Sequence, residues 1–270
     1  MTEARAGTLP VSIALVALVT GMLGMVVVSN PDRLGTRTAL LLGQLVLLAP
    51  FWLASAALAA PARDVFALRP MPPLHLALSA GCGIGLWIAS AGLLQLQYAV
   101  WPPSPYILDF FERLHAKLDL WPPWQAAFSM AAIAIGPAVS EEIAFRGAVL
   151  GALRPRVGAV GAVVATAVIF SAIHYWPGGY RIPFTLALGL GLGLLRLWSG
   201  SLLPVITAHA VLNATTVIVS SQFGDVTAPA EPGSIATGAA ALGVGTLVTA
   251  AFASGMRPGS PRATGGSTLD

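Results

Sequence analysis

The 270-residue chain has few charged residues: Asp, Glu, Lys and Arg make up only 9% of it, against roughly 25% in an ordinary soluble domain. Hydrophobic residues make up 56%, and the mean hydropathy is +0.79. A soluble fold needs a polar surface and a disordered chain has low hydrophobicity, so this composition excludes both classes. A membrane-spanning helix needs about 20 apolar residues, so the apolar content suffices for about eight spans.

Cysteine and lysine are also scarce. The single cysteine, Cys82, excludes an intramolecular disulfide and a Cys-based zinc cluster. The single lysine, Lys117, stands against 13 arginines that are scattered along the chain, so nucleic acid is excluded as the expected partner. This Arg-rich, Lys-poor composition leads us to expect a bacterial protein.

Eight apolar runs predict an all-α, polytopic transmembrane helical bundle. In chain order the runs are Val11–Val28, Ala39–Ala60, Leu74–Leu96, Gln125–Ser140, Val157–Tyr175, Pro183–Trp198, Leu202–Ser220 and Ile235–Ala253. Six or seven spans stay open as alternatives, because the sixth run is short. We divide the chain into N-terminal helices (1–124), a central core (125–220), a last helix (221–256) and a Gly/Ser/Pro-rich tail (257–270) that we expect to be disordered.

One amphipathic helix is predicted between the third and fourth spans. Ser104 and Pro105 form a helix start, with an N-cap followed by proline. Apolar residues then recur at helical spacing at Ile107, Phe110, Phe111, Leu114 and Leu118. The pattern is typical of a helix lying in the membrane interface, and a packed extramembrane loop helix is the alternative.

The arginines predict an orientation through the excess of basic residues in cytoplasmic loops. With both termini cytoplasmic, eight basic residues lie inside: Arg5, Arg63, Arg69, Arg154, Arg156, Arg196, Arg257 and Arg262. Five lie outside: Arg33, Arg37, Arg113, Lys117 and Arg181. We therefore expect a multi-pass cell-membrane protein with N-in and C-in topology.

Pairs of glycines spaced as G-x-x-x-G occur in two spans. They are Gly81 with Gly85, and Gly189 with Gly193. In an apolar helix this spacing predicts close approach of a neighbouring helix backbone.

Ionisable side chains within the predicted spans are concentrated in the second half of the chain. They are Glu141, Glu142, Arg146, His174 and His209, with Asn213 one turn after His209. Each such group costs on the order of 2.5–3.5 kcal/mol on insertion scales, so helices rarely carry it without a function or a partner.

The spacing of these residues separates their roles. Glu142 and Arg146 are four apart and form a natural ion pair, while Glu141 points roughly 100° away from Glu142. Three helices can therefore present one carboxylate, two imidazoles and an amide to a common point. This set can activate water by general-base catalysis and stabilise an oxyanion. Glu141, His174 and His209 also resemble a catalytic zinc set, so zinc is possible as a cofactor.

Three motifs at these positions resemble those of one family. Ser140-Glu141-Glu142-Ile143-Ala144-Phe145-Arg146 resembles the E-E-x-x-x-R motif of the CPBP intramembrane protease family, which includes type II CAAX prenyl endopeptidases and bacteriocin-related Abi proteins. Phe170 to His174 resembles its F-x-x-x-H motif, and His209 to Asn213 its H-x-x-x-N motif. The motifs occur in the family's order, and the resemblance covers roughly residues 125–220.

The resemblance implies an intramembrane endopeptidase, of the glutamic or metalloprotease type, acting on a membrane-associated or lipidated protein or peptide. It implies that Glu141 activates water with His174, that His209 and Asn213 form the oxyanion site, and that Glu142 and Arg146 support the geometry. We expect a metal-free reaction, with zinc as the alternative. A non-catalytic binder conferring bacteriocin immunity and a proton-coupled transporter stay open as other functions.

Overall fold

The computed structural model describes residues 7–116, 120, 122–223 and 234–256, and this part of the chain forms helices joined by turns and loops. The helices are α1 (Val11–Val28), α2 (Pro31–Leu34), α3 (Thr36–Ala57), α4 (Ala62–Val65), α5 (Pro73–Val100), α6 (Pro105–Ala116), α7 (Pro123–Met130), α8 (Gly136–Glu142), α9 (Leu150–Ile173), α10 (Ile182–Ser199), α11 (Leu203–Phe223) and α12 (Ile235–Ser254). Two π-helical segments, Ala131–Ile135 and Ile143–Val149, join α7 to α8 and α8 to α9. The all-α prediction is confirmed. The predicted tail lies outside the described residues.

In the described part of the chain, seven helical runs are long and apolar enough to cross a membrane, where the sequence predicted about eight spans. The difference arises because the predicted fourth and fifth spans lie in one helical run, Pro123–Ile173. This run reverses direction at Gly158, whose φ of 75° is a left-handed conformation that glycine adopts without steric cost. The Phe145 and Phe170 rings are 5.2 Å apart, whereas an uninterrupted helix would separate the two residues by about 38 Å. The run is therefore an antiparallel helical hairpin.

The helices expose apolar side chains on the outside of the bundle, as a lipid environment requires. Examples are Val19 and Val27 in α1, Val160 and Val168 in α9, and Leu247 in α12. The fully buried interior, by contrast, holds the ion-pair partners Glu142 and Arg146. Exposed apolar surface on many helices excludes a soluble surface. Together with the seven apolar runs, this pattern identifies a multi-pass membrane protein.

Glycines set the closest helix contacts, as the G-x-x-x-G spacing predicts. A Cβ on Gly85 of α5 would lie 2.7 Å from the Thr249 backbone nitrogen of α12. A Cβ on Gly189 of α10 would lie 3.0 Å from Ala167 of α9. The α5–α12 and α9–α10 pairs therefore pack backbone to backbone.

The predicted amphipathic helix is α6, which begins at Pro105 after Ser104. Its Ile107 and Phe111 side chains are buried, while Asp109 and Arg113 form an exposed i,i+4 ion pair of 2.8 Å. The predicted helix residues Lys117 and Leu118 lie outside the described residues. The alternation of buried apolar and exposed charged positions confirms an amphipathic helix.

Candidate active site

The adjacent carboxylates of Glu141 and Glu142 end α8, immediately before the π-helical segment Ile143–Val149. Residues one apart on a helix point about 100° apart, so the two side chains enter different surroundings. Glu142 is fully buried, whereas Glu141 lines a cavity. Ser140 donates a hydrogen bond to the Gln44 side chain, which ties this turn to α3.

Glu142 binds both a cation and an imidazole. Its Oε1 accepts hydrogen bonds of 2.8 Å from Arg146 and of 2.8 Å from Nδ1 of His209 on α11. Arg146 also donates to the Gly189 carbonyl of α10 at 3.3 Å. The predicted Glu142–Arg146 pair is thus present, and it extends into a network across four helical segments.

Phe170 lies at the centre of the site residues. Its ring is 4.5 Å from the His174 ring and 6.4 Å from the His209 ring, measured between centroids. The Arg146 guanidinium lies 4.4 Å from the same ring, within the range of a cation–π interaction. Phe170 therefore packs against Arg146 and both imidazoles and fixes their spacing.

His174 follows the last residue of α9, and its Nδ1 lies 2.7 Å from the Phe170 carbonyl oxygen. A carbonyl only accepts hydrogen bonds, so Nδ1 carries the proton and Nε2 of the neutral ring is an acceptor. The Nδ1 of His209 likewise donates a hydrogen bond, to the Glu142 carboxylate. Both imidazoles thus leave Nε2 for other partners.

A cavity of about 820 Å³ joins the predicted catalytic residues, Glu141, His174, His209 and Asn213, all of which lie in its wall. Glu141 interacts electrostatically with His209, and His174 does so with His209 as well. Within the described part of the chain, Glu141 and Asn213 make no side-chain hydrogen bond. Their polar atoms are therefore available to a ligand in the cavity.

The predicted zinc alternative was tested against the donor geometry. In the described ranges, no three His, Cys, Asp or Glu side chains are grouped closely enough to hold a metal ion. Glu141, His174 and His209 face a common space without forming a ligand cage. The donor geometry of the described residues therefore does not fit a resident metal.

The sequence reasoning missed two features of the site. It assigned Glu142 to Arg146 and overlooked the bond from Glu142 to His209, which joins residues 67 positions apart. It also treated Arg181 only as a loop charge. Arg181 lines the cavity, and its guanidinium lies 5.5 Å from the Phe111 and Phe184 rings. The Glu142–His209 and Arg181–Phe111 contacts join residues far apart in the chain, so no short-range pattern encodes them.

The fold and site define a polytopic membrane protein with an acid, two imidazoles and an amide around one intramembrane cavity. A family model described as Type II CAAX prenyl endopeptidase Rce1-like matches residues 123–215. Comparisons with curated proteins and with solved structures gave no match. All three motifs lie within the matched residues, so this part of the chain is similar to CAAX-type intramembrane proteases.

Proposed function

We propose that this protein hydrolyses a peptide bond of a membrane-associated or lipidated protein or peptide, with a water molecule activated by Glu141 and His174. The observation that carries the proposal is that two neighbouring carboxylates differ in their hydrogen-bond partners. Glu142 accepts hydrogen bonds from Arg146 and His209 at one oxygen, while Glu141 makes none and faces the cavity. Glu141 is therefore the carboxylate available as a general base.

The His174 imidazole supports the same step. Because its Nδ1 proton is held by the Phe170 carbonyl, Nε2 can accept a hydrogen bond from the attacking water. Glu141 and His174 do not contact each other directly in the described residues, so a water between them would bridge the pair. A positioned general base of this kind contributes typically 10²–10⁴-fold to the rate.

His209 and Asn213 would stabilise the oxyanion of the tetrahedral intermediate. Asn213 has a free amide donor on the same helical face, four residues after His209. His209 donates from Nε2 only when both ring nitrogens carry protons, and the Glu142 carboxylate at Nδ1 is the counter-charge that this form needs. When the tetrahedral intermediate collapses, the proton that Glu141 took from the water passes to the leaving amine, so Glu141 returns to its carboxylate form.

The cavity favours an extended apolar peptide as substrate. Its wall includes Phe111 and Leu114 of α6, Leu188 of α10 and Leu212 of α11, beside the polar site residues. Its volume lies at the upper end of the 300–1,000 Å³ range of ligand pockets. Because α6 is amphipathic, a peptide anchored at the membrane surface could reach the cavity along this helix.

The test is cleavage of membrane-anchored peptides by purified protein in proteoliposomes, followed by mass spectrometry. We expect Glu141→Gln and His174→Ala to lower cleavage at least 100-fold, and Asn213→Ala by roughly 10²–10³-fold. Asp109→Asn removes a carboxylate on the exposed face of α6 and should leave cleavage unchanged. Equal cleavage by wild type and Glu141→Gln would refute the proposed base. Toxin protection that survives Glu141→Gln without any cleavage would favour a binder.

Metal dependence is tested separately. Because the described side chains form no metal-ligand group, we expect cleavage to persist after chelation and dialysis of the purified protein. Loss of cleavage on chelation, followed by recovery with Zn²⁺, would contradict the metal-free mechanism.

A further inference from the structure

Three arginines meet at the end of the bundle opposite α6. Arg69 precedes α5, Arg154 lies early in α9, and Arg196 lies in the last turn of α10. The Ser201 hydroxyl, just after α10, donates to the Arg69 carbonyl, and the residues next to Arg154 and Arg196, Leu153 and Leu197, pack against one buried cluster. These contacts bring the three cations together, and Arg69 and Arg154 both repel the Arg196 guanidinium. Within the described ranges, none of the three forms an ion pair.

Arg196 is the most enclosed member of this arginine cluster. Its Nε is buried and has no hydrogen-bond partner in the described part of the chain. Arg69 and Arg154 are exposed. A buried guanidinium N–H without an acceptor destabilises the fold, because it has lost its hydrogen bond to water and no protein acceptor replaces it. An anion bound between the three arginines would supply both the missing acceptor and the missing charge.

The backbone around the cluster is fixed. The Ser201 hydroxyl donates to the Arg69 carbonyl at 2.7 Å, and the Leu202 amide donates to the Ala67 carbonyl at 3.0 Å. Ala67 adopts a φ of 51°, a left-handed conformation that is uncommon outside glycine and persists where the surroundings hold it. These bonds join the segment before α5 to the turn after α10, so Arg69 and Arg196 are held on one rigid unit.

The surroundings favour a lipid as the source of the anion. After the reversal at Gly158, the apolar side chains of Val160 and Val164 are exposed on α9, a few residues along the chain from Arg154. Trp198, two residues after Arg196, is also exposed at this end of the bundle. A lipid has an acyl chain next to its phosphate, and this end of the bundle has exposed apolar side chains next to neighbouring guanidinium groups. Arginine is suited to phosphate because its planar fork binds two oxygens at once.

We propose that Arg69, Arg154 and Arg196 form a binding site for the phosphate group of an anionic membrane lipid, at the bundle end opposite the proteolytic cavity. The site does not depend on the proposed proteolytic mechanism. The bound lipid links the α4–α5 connection, the helical hairpin at Gly158 and the end of α10, and so stabilises the frame around the cavity.

The test uses the full-length protein in nanodiscs of phosphatidylcholine, with or without phosphatidylglycerol, and counts retained lipids by native mass spectrometry. We expect wild type to retain phosphatidylglycerol in preference to phosphatidylcholine. Arg154→Gln and Arg196→Gln should each weaken retention roughly fivefold, the effect of one arginine near an anionic surface. Arg113→Gln removes an exposed arginine from α6 at the other end and should leave retention unchanged.

Two variants of exposed arginines and a competition with free phosphate complete the test. Arg69→Gln and Arg154→Gln change exposed side chains, so their effect on lipid retention can be read even if Arg196→Gln fails to fold. Equal retention of the two lipids by wild type, or an equal loss in Arg113→Gln, would overturn the proposal. Displacement of the lipid by millimolar inorganic phosphate would show a free-anion site and contradict the lipid assignment.

Discussion

At the scale of single residues, the two adjacent glutamates have opposite environments. Glu142 is fully buried and balanced by Arg146 and His209, so it behaves as a structural anion that holds a cation and an imidazole. Glu141 borders the cavity and keeps its oxygens uncommitted. The same chemical group can therefore act as a scaffold at one position and as a base at the next.

This difference predicts that the same substitution lowers stability strongly at position 142 and hardly at all at position 141. Glu142→Gln removes the charge that balances a fully buried Arg146, and breaking a buried pair in this way costs about 3–5 kcal/mol. The matched change Glu141→Gln breaks no hydrogen bond and should alter the free energy of unfolding by less than about 0.5 kcal/mol. Thermal unfolding in detergent measures both. Similar losses in the two variants would contradict the assignment of Glu142 as the structural partner.

Phe170 is expected to act by positioning. Phe170→Leu removes the ring that touches Arg146, His174 and His209, and misplacement of catalytic groups by about 1 Å can cost on the order of 100-fold in rate. We expect kcat to fall 10–100-fold with little change in KM. Phe51→Leu creates a comparable cavity in the fully buried core of α3 and is the control for stability. Equal kcat losses in both variants would show that Phe170 acts only through core packing and does not position the catalytic groups.

The residue types and motif spacing were sufficient to predict that Glu142 pairs with Arg146 and to single out four side chains that share one cavity, whose catalytic roles stay a prediction. The i,i+4 geometry of a helix is local, so a sequence encodes that pair directly. The Glu142–His209 bond was not predictable, because it depends on how α8 and α11 pack. The same limit applies to the Gly189 carbonyl that accepts from Arg146.

At the scale of helices, the apolar runs predicted most bounds closely. The predicted run Val11–Val28 coincides with α1, and Ile235–Ala253 differs from α12 by one residue. The hairpin inside Pro123–Ile173 was predicted as two spans, but not as one helical run that reverses at a glycine. Arg154 and Arg156 marked the boundary between the two spans, but hydropathy does not show that the backbone stays helical up to Gly158.

The contact between α5 and α12 depends on glycine, and two glycines of α12 provide a matched test. A Cβ on Gly245 would lie 2.5 Å from the Gly85 carbonyl oxygen of α5, whereas a Cβ on Gly243 would meet open space. Gly245→Ala should destabilise the protein by roughly 1–3 kcal/mol through overpacking. Gly243→Ala should be neutral or stabilising by up to about 1 kcal/mol, because alanine favours helix. Thermal unfolding that ranks the two variants in the opposite order would contradict this packing.

At the scale of the whole molecule, the arginines predict which end of the bundle faces the cytoplasm. Arg69, Arg154 and Arg196 were all assigned to the inside, and they do lie near one another at one end. Which side of the membrane this end faces stays a prediction. The predicted N-in and C-in topology places α6 and the cavity mouth toward the outer face of the membrane.

Site-directed labelling tests this orientation. Cys82 is buried and is the chain's single cysteine, so Cys82→Ala gives a background free of thiols. Arg33→Cys and Arg63→Cys then place one thiol at exposed positions on opposite ends of α3. In intact cells, a membrane-impermeant maleimide should label position 33 and leave position 63 unlabelled. The reverse pattern would place both termini outside.

The central claim is that Glu141 activates water for attack on a peptide bond inside the bundle. The most direct measurement is single-turnover cleavage of a membrane-anchored peptide in oxygen-18-labelled water, with product mass determined for wild type and Glu141→Gln. The account predicts one labelled oxygen in the new carboxyl terminus with wild type, and at least a 100-fold slower appearance of the same product with Glu141→Gln. Labelled product formed at the wild-type rate by Glu141→Gln would contradict it.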